Sequence, residues 1–422
     1  YKFLNMEFKY SQRLWPWCGW LGIYIYAEES TLTALNTESQ RKMTVTGTIK
    51  VDIHVMDTEH RAYNAEDEKW KLHKLSIPYS LNIIPTPPRN QRILWDQYHN
   101  LAYPLGYFPR DDLEKTNDML DWFGDHLHTN YHTLYDFLKD KGYFVEILST
   151  DYSCIDADSY SALVIVDTED EFHAEELQKL KHDVLNNQLS VIVFADWYNE
   201  KLMQDVRFFD DNTRSLWDAY TGGANVVALN ELLKPFQIQF GDMVCVGDVR
   251  VGKNKLYFQS GSTIMKSPAG SYVLKTDLKP VTDGRTKQVN SNKNKERPAI
   301  PLVLLDTNEL TQTAEKGKAG RLAVFGDSTC LDANQHHSDC FWLMEMLLHY
   351  ATKSEMPGEL RSSLTLVTQE NMQQVYDAEY LKQQKVPQVI KATQHLFNQV
   401  SRVHNLKHVQ CKDKVVDSAK QL

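Results

Sequence analysis

Long apolar runs are missing from this 422-residue sequence. A membrane-spanning helix needs about 18 to 20 mostly apolar residues, whereas the strongest candidates here, residues 21–27 and 189–195, have only the length of a strand. We therefore expect no membrane span in this chain. The sequence starts at Tyr1 without a basic segment followed by an apolar one. We expect a fragment of a longer protein that does not include the targeting signal.

An excess of positive charge is also missing. The chain has 46 Lys and Arg residues against 56 Asp and Glu residues, which gives a net charge of −10. This charge is a poor match for the phosphates of nucleic acids or anionic lipids. The glycine pair in residues 221–224 (TGGA) lacks the lysine of a phosphate-binding loop. We therefore expect no nucleic-acid partner and no cofactor.

Cysteines are few, and none lies in a metal-binding arrangement. The six cysteines include no C-x-x-C pair and no Cys/His spacing typical of zinc sites, so the sequence predicts no metal site of that type. Only Cys330 and Cys340 lie close together in the sequence. Their spacing alone leaves a disulfide and two free thiols equally open.

Residues 1–86 have the pattern of a small β-sandwich, complete or truncated. Aromatic and β-branched residues occur in short runs, and residues 44–55 alternate between apolar and polar. This period of two is typical of half-buried antiparallel strands. Three prolines within residues 84–89 then mark a stiff domain boundary.

Residues 87–352 have the pattern of an α/β domain. Short strands that are apolar on both faces alternate with amphipathic helices, which predicts a doubly wound, mostly parallel sheet. We expect a glutamine-amidotransferase-like but non-catalytic domain, because the strand at 191–194 continues into Ala195 and Asp196 without the nucleophilic cysteine. Residues 256–274 suggest an inserted β-hairpin. Residues 353–422 are polar, helix-prone and, from Leu381, basic, which favours a solvated tail or appended helices over a partner-binding arm.

Aspartates follow the predicted core strands. Parallel sheets bind ligands at the carboxyl ends of their strands, so these carboxylates could form a rim that binds a cation or a hydroxyl-rich ligand. The simpler alternative, which we favour, is that each aspartate caps the next turn. A sharper hypothesis places three of them, Asp96, Asp196 and Asp327, in one pocket. The four rim candidates are Asp96, Asp167, Asp196 and Asp327.

Residues 326–328 form the most enzyme-like triplet, Gly-Asp-Ser. Esterases with a GDS signature hold their nucleophile at such a strand end, so Ser328, with Asp327 or His336, is a candidate catalytic group. In those esterases, however, the motif opens the domain, whereas here it closes it. A capping role for the Ser328 hydroxyl is therefore favoured.

Two further clusters have both a structural and a functional interpretation. Asp125, His126, His128 and His132 could form a metal site, because His128 and His132 would share a helix face. Surface or capping histidines are the favoured alternative, since the H-E-x-x-H glutamate is missing. Three tryptophans within residues 14–20 favour core or inter-domain packing over a carbohydrate platform.

The blocks WDQYHNL at 95–101, YFPRD at 107–111 and VIVFADWYN at 191–199 closely resemble a known family. The chain is similar, over about residues 8–350, to the region that follows the catalytic domain in the site-1 protease family of membrane-bound, subtilisin-type proprotein convertases. Further matching blocks are LWPWCGWLGIYI at 14–25, TGGANVVALNELL at 221–233 and GDSTCLD at 326–332.

This resemblance implies a serine endopeptidase parent that works in the lumen of the endoplasmic reticulum and Golgi and processes membrane-bound transcription factor precursors. The chain itself lacks the D-[ST]-G, H-G-[ST] and G-T-S motifs of the subtilisin triad. We therefore expect a catalytically inactive region that packs on the parent's catalytic domain and stabilises it. The oxidising lumen favours a disulfide between Cys330 and Cys340. An independent serine hydrolase using Ser328 is the alternative.

Overall fold

The computed structural model describes most of the chain as two compact units, which separate between Pro87 and Pro88. Each unit is described here by itself. The described residues are 5–10, 21–26, 43–56, 70–84, 86–100, 110–114, 125–212, 214–219, 221–281, 295–310, 319–333, 340–353 and 355–389.

The described part of the first unit consists of two antiparallel strand pairs. Strand β1 (Asn5–Tyr10) pairs with β2 (Leu21–Tyr26), and β3 (Met43–Met56) pairs along its whole length with β4 (Trp70–Ile83). Val45 is buried while its neighbours on β3 are more exposed, as the period of two predicts. The tryptophan-rich residues 14–20 lie outside the described residues.

The second unit is organised around a ten-stranded sheet, one half of which is parallel. In the order β15, β8, β7, β5 and β6, neighbouring strands of this half run in the same direction. Every residue of β7 and β8 is buried, which explains their continuous apolar sequences. The predicted α/β sheet is confirmed. The bounds are β5 (Arg92–Asp96), β6 (Phe144–Leu148), β7 (Ala162–Val166), β8 (Ser190–Phe194) and β15 (Arg321–Phe325).

The other half of the sheet is antiparallel. It continues from β15 through β14, β13 and β11 to β12, and β16 pairs with β13. A separate pair is formed by β9 (Phe208–Asp210) and β10 (Ser215–Trp217). The bounds of the antiparallel strands are β11 (Gln239–Val251), β12 (Asn254–Lys266), β13 (Tyr272–Pro280), β14 (Arg297–Asp306) and β16 (Thr365–Leu366).

The hairpin of this half differs from the one expected at residues 256–274. Strands β11 and β12 form the hairpin, and β13 pairs with β11 and β14 instead. The turn between β11 and β12 includes Gly252, whose φ of +58° lies in the left-handed region that glycine adopts easily. Residues 267–271 connect β12 to β13, and these two strands are not adjacent in the sheet.

Helices flank this sheet. Helix α5 packs against β7, β8 and β15, and α1 packs against β6. The bounds of the described α-helices are α1 (His132–Asp140), α2 (Ala174–Asn186), α3 (Glu200–Asp205), α4 (Val226–Leu233), α5 (Phe341–Lys353), α6 (Gly358–Ser363), α7 (Met372–Val375) and α8 (Ala378–Lys382).

Residues 355–389 are packed onto this sheet. The hydroxyl of Tyr380 donates to the carbonyl oxygen of Ile264 at 2.7 Å, and that of Tyr376 donates to Ser267 Oγ at 2.7 Å. Both tyrosines are buried. This part of the expected tail therefore has the form of appended helices with an added sheet strand.

Candidate functional site

The four rim aspartates all lie at or just after the carboxyl ends of parallel strands, and three of them cap local backbone. Asp96 Oδ1 accepts from the N–H groups of Tyr98 and His99. Asp196 accepts from the N–H of Trp197, and Asp327 accepts from that of Thr329. These contacts match the capping alternative. Asp167 makes no such contact with the described residues.

Asp96 belongs to a buried ionic cluster with His99 and Glu176. His99 Nδ1 lies 2.8 Å from Asp96 Oδ2, and Nε2 lies 3.2 Å from Glu176 Oε1. Tyr152 donates its hydroxyl to the same Asp96 oxygen. Burial lowers the pKa of His99, but the two carboxylates outweigh it and raise that pKa to about 10. His99 therefore carries a proton at neutral pH.

Asp196 and Asp327 form a second cluster, around Ser328. Ser328 Oγ donates to Asp196 Oδ2 at 2.9 Å, and Thr329 Oγ1 donates to the same oxygen at 3.3 Å. Burial, and then the charge of Asp327, raise the pKa of Asp196 well above its usual value. Burial also raises the pKa of Asp327 to about 6, although the N–H of Gln259 and the groups of Thr329 oppose this. Asp196 and Asp327 therefore lie close enough for their charges to interact, whereas the contacts of Asp96 described above are with other residues. One pocket shared by Asp96, Asp196 and Asp327 stays a prediction.

The glycine pair at 222–223 packs directly against this cluster. A Cβ on Gly223 would lie 2.5 Å from Asp196 Oδ1, and one on Gly222 would lie 2.1 Å from the carbonyl oxygen of Trp197. Only glycine permits so close an approach. These glycines therefore have a packing role.

Ser328 precedes the 3₁₀ turn at Thr329–Leu331, but its side chain makes no cap hydrogen bond to that turn. Its geometry also differs from that of a catalytic nucleophile. The side chain is 1% exposed, and its acceptor is Asp196 rather than Asp327. Among the described residues no histidine contacts its hydroxyl, and His336 lies outside them. A serine nucleophile needs a base within hydrogen-bond reach and access to its substrate.

Asp167 lies in a third cluster, with Asp111 and Asp125. One carboxylate oxygen from each residue lies within 4.8 Å of the other two. All three residues are buried. Burial raises the pKa of Asp167 well above its usual value, and the nearby charges of Asp111 and Asp125 raise it further. This cluster joins one rim candidate to two residues from separate segments of the chain.

The histidines of residues 126–132 are not arranged around a metal ion. Helix α1 begins only at His132, so His128 lies before it and the two do not share a helix face. His126 Nδ1 accepts from the N–H of His128, and His132 Nδ1 lies 2.7 Å from the carbonyl oxygen of Thr129. Asp125 Oδ1 instead accepts from Asn130 Nδ2 and from the Tyr131 hydroxyl.

Sequence reasoning did not single out Asp111, His99 or Glu176. The sequence signal for Asp111 was its place in the charged triplet 110–112 within an aromatic segment. No signal pointed to Glu176, because a glutamate in the first turn of a helix is common.

The predicted disulfide is present. Cys330 and Cys340 are bonded, with Cα atoms 5.6 Å apart. The bond joins the short 3₁₀ turn at Thr329–Leu331 to the residue that precedes α5. It therefore fixes the turn from which Ser328 and Thr329 reach Asp196.

These features define a glutamine-amidotransferase-like domain with aspartates, and no thiol, at the ends of its central strands. Comparison with known families agrees: the family "MBTPS1, fourth GATase-like domain" matches residues 87–365, and "MBTPS1, third Ig-like domain" matches residues 1–86. The chain belongs to the site-1 protease family and corresponds to its C-terminal region.

Individual members of this family are similar to the chain in sequence. The chain is 38% identical over 353 residues to the subtilisin-like protease SBT6.1 of Arabidopsis thaliana, and 39% identical over 362 residues to the human membrane-bound transcription factor site-1 protease. These alignments cover 83% and 85% of this chain. The chain spans about a third of the length of these relatives, 32% in both cases. Among solved structures, the mmIFT52 N-terminal domain has a TM-score of 0.36 at 12% identity, and it covers 62% of this chain and 97% of its own length.

In the part of the chain that the structure describes, no helix combines the length and the apolar character that crossing a membrane requires.

Proposed function

We propose that this chain is a non-catalytic companion of a subtilisin-type endopeptidase. It packs on the catalytic domain of the parent protein, stabilises that domain and helps to dock membrane-bound transcription factor precursors. Membership of the site-1 protease family supports this proposal. The chain also spans only about a third of the length of its relatives, which agrees with a part of a larger protein. The cleavage chemistry then belongs to another part of the parent protein.

The surroundings of Ser328 are the observation that carries the proposal. Ser328, the candidate nucleophile, is a buried serine whose hydroxyl donates to the Asp196 carboxylate. Acyl transfer needs a nucleophile, a base and an orienting acid in contact. Three of the four rim aspartates, Asp96, Asp196 and Asp327, instead accept hydrogen bonds from the backbone that follows their strands, as expected for a scaffold.

We also place the chain in the lumen of the secretory pathway. The disulfide between Cys330 and Cys340 supports an oxidising compartment. Its mouse and human relatives carry the name "membrane-bound transcription factor site-1 protease". A luminal region would meet the luminal segments of such precursors.

The test compares the catalytic domain of the human relative with and without this chain added in trans. We expect the chain alone to cleave neither peptides nor esters, to raise the thermal midpoint of the catalytic domain, and to lower the KM for the luminal segment of a precursor. Serum albumin at the same concentration is the control. If the chain leaves both the midpoint and the KM unchanged, the companion role is wrong.

The alternative hydrolase is tested in the same assays by Ser328→Ala. Ester hydrolysis by the purified wild-type chain that disappears in Ser328→Ala would favour an independent enzyme. Hydrolysis that persists in the variant would instead indicate a contaminant.

A further inference from the structure

We propose that Asp111, Asp125 and Asp167 bind a calcium ion between the carboxyl end of β7 and the segment that precedes α1. The three ligand oxygens lie within 4.8 Å of one another. Calcium binds oxygen at about 2.3 to 2.6 Å, so two oxygens on the same ion lie at most about 5 Å apart. The observed spacing is therefore within the limit for one shared ion.

Asp167 provides an independent observation. Neither of its carboxylate oxygens has a hydrogen-bond partner among the described residues, although the residue is only 1% exposed. The other three rim aspartates all accept hydrogen bonds from nearby backbone N–H groups. A buried carboxylate without a partner costs several kcal/mol, at an order-of-magnitude level. A cation held by this cluster would give the Asp167 carboxylate a partner.

The neighbouring contacts hold the other two ligands in place. The Tyr131 hydroxyl and Asn130 Nδ2 both donate to Asp125 Oδ1, at 2.8 Å each, and Gln97 Nε2 donates to the backbone oxygen of Asp125. These hydrogen bonds come from groups outside the cluster and fix the orientation of Asp125. Supporting contacts of this kind fix metal ligands in known sites.

The backbone next to Asp111 is anchored on both sides. Trp197 Nε1 donates to the carbonyl oxygen of Arg110 at 3.0 Å, and the N–H of Leu113 donates to Ser260 Oγ at 2.9 Å. Both partners belong to the sheet or to the loop after β8. Asp111 therefore reaches the cluster from a segment that is already fixed to the rest of the domain.

The chemistry of the ligands selects the class of ion. All three are carboxylates, and no histidine or cysteine joins them among the described residues. Oxygen ligands favour calcium or magnesium over zinc or copper. Magnesium keeps several waters and usually takes only one or two carboxylates, whereas calcium accepts several carboxylates in flexible geometry. Three buried carboxylates therefore point to calcium.

A bound calcium ion would tie three separate segments together and stabilise the folded domain through mass action. This inference goes beyond the proposed companion role, and its test does not depend on protease activity. It also departs from the expectation that the chain holds no metal, which rested on cysteine and histidine spacing.

The experiment uses the full chain after treatment with EDTA. Calcium chloride should raise the thermal midpoint and bind with one-to-one stoichiometry in calorimetry. Terbium should give luminescence sensitised by Tyr131, whose hydroxyl contacts Asp125, and calcium should displace it. Magnesium chloride at the same concentration should bind about tenfold more weakly or worse.

Asp167→Asn should weaken calcium binding by about tenfold or more, because it removes the charge and keeps the shape. Without calcium this variant should remain folded, since it relieves repulsion within the cluster. Asp125→Asn is the second ligand variant, and Asp136→Asn, at an exposed position on α1, is the control that should bind normally. The proposal is overturned if the wild-type chain shows no calcium response, if both ligand variants keep full affinity, or if magnesium binds equally well.

Discussion

His99 carries a positive charge inside the second unit, and the two neighbouring carboxylates keep its imidazole protonated. It lies between Asp96 and Glu176, with Tyr152 and Phe172 against its ring. A buried ion pair of this kind is costly to break, because removing one partner leaves an uncompensated charge. The imidazolium thus joins the end of β5 to the first turn of α2.

Stability should fall at alkaline pH because of this histidine. Its pKa is raised from 6.5 in the unfolded chain to about 10 in the fold, so the folded state binds the proton more tightly. Its contribution to the free energy of unfolding is therefore complete below pH 6.5 and is lost as the pH rises to about 10. Urea unfolding of the wild-type chain between pH 6 and 10 measures this loss.

His99→Gln should lower the free energy of unfolding by about 3 to 5 kcal/mol at neutral pH and flatten its dependence on pH. His182→Gln, at an exposed position on α2, should behave like the wild-type chain. An equally steep loss of stability in His99→Gln would show that other groups cause it.

At the residue scale, the sequence predicted which aspartates lie at strand ends better than it predicted which residues they contact. The strand-end positions of Asp96, Asp167, Asp196 and Asp327 follow from the apolar runs before them. Which carboxylates meet depends on loops whose course the sequence pattern does not specify. Asp111 reaches Asp167 through such a segment, and the strand pattern could not have revealed it.

Among the elements, the turn at Thr329–Leu331 is held by covalent as well as hydrogen bonds. The disulfide to Cys340 ties it to the start of α5, and its polar groups contact Asp196 and Asp327. Closing this loop removes conformational freedom from the unfolded chain. The turn thereby holds the donors that satisfy the Asp196 carboxylate.

Replacing both Cys330 and Cys340 by serine should lower the free energy of unfolding by about 2 to 4 kcal/mol, as is typical for a native disulfide. Thermal and urea unfolding without reductant measure the change. Cys245→Ala, at a buried free thiol, is the control and should cost only about 1 kcal/mol. Equal losses in the two variants would mean that the disulfide contributes little beyond ordinary packing.

The parallel strands were predictable because short, mostly apolar runs alternate with amphipathic helical segments along this part of the chain, as in α/β domains. The strand pairing in the antiparallel half of the sheet was not predictable. The segment from β11 to β13 contains two turn regions, and local sequence does not decide which of them closes a hairpin. The sheet decides it, because β13 gains hydrogen bonds to both β11 and β14.

At the scale of the whole molecule, the α/β unit depends on residues beyond α5. Strand β16 extends the sheet at β13, and α8 buries Tyr380 against β12. The polar composition of residues 353–422 does not reveal this contribution, because within the described residues 355–389 the buried apolar side chains are few and scattered.

Tyr380→Ala should therefore lower the free energy of unfolding by about 3 to 5 kcal/mol, since it removes a buried ring and its hydrogen bond. Leu381→Ala, at the next position and 37% exposed, should change it by about 0.5 kcal/mol or less. A chain that ends after Lys353 should aggregate or melt at lower temperature. If Tyr380→Ala melted like Leu381→Ala, the appended helices would be dispensable.

The pairing of β8 with β15 also constrains how the protein is synthesised. Val191 lies opposite Leu322 in this ladder, so β8 leaves the ribosome about 130 residues before its partner. At about 5 to 20 residues per second this interval lasts roughly ten seconds. Until then the β8 edge is open to pairing with other nascent chains. Biogenesis of this domain should therefore depend on chaperones that shield an unpaired central strand.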